Sequence, residues 1–172
     1  MHDEVIGWAA RVAAVVTPDE AELVPALTAA YVTGGASRRE LFARANPVPG
    51  GFDVTAPIVL FPHVLAAVTL AGPAIWAALG GNLSSVSSLL KNLGDLWDRR
   101  HRAKPEEQEE PEEPGSPELS RLIDTIIAEL TSAGVPPIES EVLTFRIVRA
   151  LIADGAGTRA FLAAVAPEKQ NR

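Results

Sequence analysis

The sequence predicts an all-α protein, and three observations carry that prediction. Hydrophobic residues make up 47% of the 172-residue chain while aromatic residues make up 5%. That Ala- and Leu-rich balance suits helix packing better than strands alternating at period two. Apolar residues recur three and four apart in several windows, and Gly pairs and prolines punctuate the ends of those windows. The expected architecture is two similar small helical modules around a central apolar helical hairpin, with a disordered acidic linker. The modules occupy 1–47 and 119–167; the hairpin, an amphipathic helix and its basic end occupy 48–104, the linker 105–118 and a tail 168–172.

The first helix, Glu4 to Val16, places Val5, Trp8, Val12 and Val15 or Val16 on one stripe. "TPDE" then reads as a capping-box start, with Thr17 at the N-cap, Pro18 at the first helical position and Glu20 three residues on. The second helix carries Leu23, Leu27, Ala30 and Tyr31 on one face and stops at Gly34 and Gly35; Pro25 falls in it awkwardly. Ser37 caps a third helix through Ala45, and "NPVPGG" ends the unit.

The C-terminal segment repeats this plan at an offset of 120. Leu23, Leu27, Ala30 and Tyr31 answer to Leu143, Ile147, Ala150 and Leu151, and Gly35, Ala36, Arg39, Ala43 and Pro47 recur as Gly155, Ala156, Arg159, Ala163 and Pro167. "PPIESE" at Pro136 answers to "TPDEAE", and Leu122, Ile126, Ile127 and Leu130 form the preceding stripe. Agreement of caps, stripe and terminal proline favours duplication. Arg39 and Arg159 are the charged side chains matched in both copies, which makes them candidates for a shared structural ion pair or for twin binding positions.

Between the copies, no Asp, Glu, Lys or Arg appears from Val54 to Leu90. The run exceeds the roughly 20 apolar residues that span a bilayer. Pro57 and Pro62 suit an entry turn and Gly72–Pro73 breaks the run, so 54–81 reads as a helical hairpin, either core or membrane-inserting. After it, Leu83, Val86, Leu90, Leu93 and Trp97 continue an amphipathic helix ending in the basic cluster Arg99, Arg100, Arg102 and Lys104. Trp76 and Trp97 are candidates for core packing or for interfacial anchoring. His63 is a candidate core histidine or, if the segment inserts, a pH switch.

The net charge of −7 equals the charge of Glu106, Glu107, Glu109, Glu110, Glu112, Glu113 and Glu118 alone, so the rest of the chain sums to zero. No apolar residue occurs from Pro105 to Glu118, which predicts an extended tether. The chain lacks a basic, aromatic-interleaved face, and nucleic acid is not an expected partner. With no cysteine, disulfides, thiolate zinc sites and iron–sulfur clusters are excluded. His2, His63 and His101 have no zinc-site spacing, the Ser84–Ser88 stretch contains no nucleophile elbow, and the Gly pairs precede no phosphate-loop Lys. No catalytic, cofactor-binding or metal set is therefore expected. "MHDEVIGW" has acids where a signal peptide carries basic residues, and a cytoplasmic location follows, with membrane association as the alternative.

Modules such as "TGGASRRELFARA" resemble small helical adaptor proteins of actinobacterial conflict systems, the CATRA-associated small proteins. The resemblance covers the two modules and implies a non-enzymatic adaptor acting beside a protein partner. Two functions are thus expected: an interaction protein, monomeric or a homo-oligomer, or a membrane-active effector whose hairpin 54–81 enters a bilayer.

Overall fold

The computed structural model describes residues 2–45, 59–79 and 117–166, together with 91, 93–95, 97 and 98. Among these residues the secondary structure is helical throughout, as the composition predicts. The expected linker at 105–116, the basic cluster 99–104, the serine stretch, Pro47, Pro57 and Pro167 lie outside the described residues.

Helix α1 spans His2–Val16 and buries Val5, Trp8, Ala9, Val12, Ala13 and Val16, the predicted stripe widened by two alanines. The capping box at its end does not form. Pro18–Glu20 is a single 3-10 turn, and the Thr17 hydroxyl caps nothing and is buried without a partner. Glu20 fails to reach back because its carboxylate is engaged elsewhere, on the first amides of α4.

Helix α2 (Val24–Thr33) consequently begins seven residues after Thr17, which puts Pro25 in the first turn, where its missing N–H costs no hydrogen bond. The later start also rotates the buried face: Val24, Thr28 and Tyr31 point inward, and Leu23, placed on that face by the sequence pattern, is 49% exposed. Gly34 and Gly35, with φ of 70° and 54°, reverse the chain directly into α3 (Gly35–Ala45). Ser37 accordingly lies inside α3 instead of capping it. Such positive φ values disfavour any residue with a Cβ.

Helices α4 (Phe61–Leu70) and α5 (Gly72–Leu79) overturn the expected hairpin. Ala71 between them is right-handed helical. It donates to Ala67 O at 2.9 Å and accepts from Ile75 N at 2.9 Å, so the ladder passes through the junction. Pro73 bends the path without reversing it, because its ring needs room only at the preceding turn. The pair forms one bent rod, and both parts pack along α6 (Pro117–Ser132). Helix α6 starts at Pro117, so Glu118, assigned to the linker from sequence, stands in its first turn beside the positive end of the dipole. Its far end closes with Gly134 at φ 93°, Gly134 N donating to Thr131 O and Val135 N to Leu130 O, a complete Schellman motif.

Helices α7 (Pro137–Ala153) and α8 (Gly155–Val165) complete the fold. Contacts run in a closed circuit from α4 to α6, α7, α1, α2 and back to α4. Helix α8 inserts among them and touches α1, α2, α4, α5 and α7. Its Phe161 is fully buried, stacked on Trp8 with ring centroids 4.4 Å apart and 6.2 Å from the Tyr31 ring.

Candidate functional site

Two places in the bundle combine polar geometry with access to the surface. The first is the start of α4. Leu60 N and Phe61 N donate to the two carboxylate oxygens of Glu20 at 2.7 and 2.9 Å. A carboxylate at a helix N-terminus satisfies orphan amides and faces the positive end of the dipole. One turn on, His63 is 5% exposed, its ring 5.2 Å from that of Phe42 in an edge contact, and its Nε2 has no hydrogen-bond partner. Burial holds the imidazole below its usual titration range, more than the nearby charges of Glu129 and Glu20 raise it.

Tyr31 completes this neighbourhood from α2. Its hydroxyl donates to Thr69 Oγ1 at 3.1 Å, and Thr69 Oγ1 in turn donates to Leu65 O at 2.8 Å. The Arg38 guanidinium lies 4.0 Å above the Tyr31 ring and Nε donates to Tyr31 O. Burial pushes the phenol up, against smaller downward effects of Thr69 and Arg38. Tyr31 therefore keeps its proton at neutral pH and donates it in the hydrogen bond to Thr69. The chain of groups ties α2 to α4.

Beside it opens a recess of about 400 Å³ between α2, α3 and the start of α4, lined by Leu23, Leu27, Ala30, Leu41, Val59 and Pro62. Its wall is mostly apolar, Ser37 and Glu40 of α3 also line it, and Leu23 stands at its edge. The second place is the seat of α1 on the C-terminal helices. Trp8 Nε1 donates to Thr158 Oγ1 at 3.1 Å, and Thr158 in turn donates to Leu151 O. Gly157 leaves room for the indole: a Cβ there would lie 2.8 Å from Trp8 Cδ1 and 2.7 Å from Asp154 Oδ2. Asp154 caps α8 by accepting from Gly157 N and pairs with Arg11 of α1, whose Nε donates at 3.0 Å.

The residues singled out from sequence are not brought together. His63 is in the core of α4, Trp76 on α5 is 47% exposed, and Trp97 packs on Phe145 of α7 with centroids 4.9 Å apart. Arg39 is exposed on α3 and Arg159 half-buried on α8, whereas Arg11 of α1 forms an ion pair with Asp154. No group of three or more metal-ligating side chains occurs among the described residues. Sequence reasoning missed Glu20 as a long-range cap, because the acid after Thr17–Pro18 also fits a local one. It missed the Trp8–Thr158 bond because nothing in either helix marks a partner 150 positions away. Comparison with protein-family models, curated proteins and solved structures finds no match to this chain.

Proposed function

We propose that the chain is a non-enzymatic helical interaction protein built from two copies of one three-helix unit. Its recess between α2, α3 and α4 receives an apolar helix face of a protein partner. The observation that carries this reading is Leu23, half-exposed at the rim of a mostly apolar recess that Ser37 and Glu40 also line. Large apolar side chains around a concavity mark interaction sites more often than chance exposure does. The chain itself offers a precedent, since α1 seats Trp8 across α7 and α8 of the other unit. Helix-in-groove docking is the corresponding mode of recognition.

Matching helix bounds support the duplication. Adding 120 to Val24–Thr33 and Gly35–Ala45 gives 144–153 and 155–165, the end of α7 and the whole of α8. Burial corresponds as well, with Tyr31 and Leu41 matching Leu151 and Phe161. The units differ at the reversal, Gly34 in one and the capping Asp154 in the other. The resemblance to the CATRA-associated small proteins makes a component of a bacterial conflict system the partner class we propose.

A membrane-active effector would require α4 and α5 to leave the bundle. Burial of Phe61, Val64, Leu65 and Val68 supports the interaction reading over that one. No helix among the described residues is long and apolar enough to cross a membrane.

The test is site-specific photo-crosslinking in cells from position 23, with Arg121 on the exposed side of α6 as the control. A partner captured from position 23 alone, whose affinity for the purified chain falls about tenfold or more with Leu23→Asp, supports the reading. Equal capture from both positions, or an unchanged affinity, contradicts it.

A further inference from the structure

Between Val59 and Leu79 the one titratable side chain is His63, and it sits in the most deeply buried turn of α4. Phe61, Val64 and Leu65 around it are fully buried, and the Phe42 ring closes over the imidazole from α3. The remaining elements packed on α4 present few charges to it. The 3-10 turn brings Glu20, already occupied by two amides; α6 brings Glu129; α2 brings the neutral Tyr31; and Arg38 of α3 is turned onto the Tyr31 ring. Helix α5 has no titratable group, and Arg159, the one such group of α8, does not enter the balance at His63.

An imidazolium placed here loses its water and gains no hydrogen-bond partner for Nε2, a loss that two carboxylates, one of them already occupied by amides, do not repay. We propose that His63 is an acid-released latch: uptake of one solvent proton drives the imidazolium toward water and frees α4 and α5 from α2, α3 and α6, uncovering Phe61, Val64, Leu65 and Val68. The device acts on the bundle itself and does not rest on what occupies the recess beside α2, although opening would dismantle that recess, since Val59 and Pro62 line it.

The sign follows from the burial. The folded imidazole titrates below its ordinary value, so the neutral form stabilises the closed state, and that stability is lost as pH falls through about 6.5. A group that titrates near 6.5 when open and lower when closed raises the opening constant as pH falls, by at most about tenfold between pH 7.5 and 5.5.

Amide hydrogen exchange of the full chain at both pH values, corrected for intrinsic rates, measures that constant over 59–79. The expected result is an increase in wild type, of at most about tenfold, retained in the His2→Gln/His101→Gln double variant and abolished in His63→Leu and His63→Gln. Equal protection of wild-type α4 at both pH values overturns the proposal, even if neither His63 variant folds. So does a dependence that survives His63→Leu or disappears in the double variant.

Discussion

The Trp8 indole lies nearly parallel to the Phe161 ring, 19° between planes and 4.4 Å between centroids, and so joins the first helix of the chain to the last described one. Both side chains are fully buried, and the indole N–H has its partner in Thr158. Removing the ring leaves a cavity between three helices and takes away the donor from which the Thr158 hydroxyl accepts, its own bond to Leu151 O remaining. Trp8→Ala is expected to destabilise the fold by about 3–5 kcal/mol in urea denaturation, and Trp8→Phe, which keeps a stacked ring but not the donor, by about 1–3 kcal/mol.

Gly157 decides how closely α1 can approach. Its added Cβ would sit under 3.0 Å from the Trp8 Cβ and Cδ1 and from Asp154 Oδ2, and two of those three atoms belong to a side chain fixed by stacking. Gly157→Ala should therefore cost about 1–3 kcal/mol despite the better helix propensity of alanine. Gly94, in open surroundings, is the comparison site, where the same change should be neutral or stabilising. Thermal melts of the two variants check the contrast.

Glu20 should matter more than its place in a loop suggests. Glu20→Ala leaves the Leu60 and Phe61 amides without their acceptor and is expected to cost about 1–2 kcal/mol, with loss of exchange protection at those two amides first. Glu20→Gln, which retains an acceptor but not the charge, should fall between.

How much of this was legible in the sequence depends on the range of the interaction. The α1 stripe, the α6 stripe and the break at Gly72–Pro73 are local patterns, and the helices stand where those patterns put them. What failed was local in appearance only. Thr17, Pro18 and Glu20 have the spacing of a capping box, yet two amides 40 and 41 positions away compete for the same carboxylate and win. The Gly72–Pro73 break was visible, but its bend angle depends on α6 and α8, which no periodicity reports; Gly72 meets Leu162 at 3.3 Å from where a Cβ would stand. For the site, His63 was placed in an apolar run from sequence, while the absence of a partner for Nε2 required the packed neighbours.

Asp154 sets a second pH dependence, in a lower range. Partial burial pushes its carboxyl up, but the Arg11 hydrogen bond, the Gly157 amide and the Arg11 charge outweigh that and hold it below the usual aspartate value. Because the folded group titrates lower than the unfolded one, its contribution is present above about pH 3.9 and is lost as pH falls below it. Arg11→Ala should move the Asp154 carboxyl upward in an NMR titration and flatten the acid limb of the stability curve. An unchanged titration contradicts the pairing.

Helix α4 forms the inside of a closed bundle, with Phe61, Val64, Leu65 and Val68 fully buried. The chain has no cysteine, so single cysteines at Val68, fully buried, and Leu70, 60% exposed, read both faces of one helix by their rate of maleimide labelling at neutral pH. The bundle predicts that Leu70→Cys labels at the rate of a free thiol and Val68→Cys at least about a hundredfold more slowly, limited by opening. Equal rates at the two positions would contradict it.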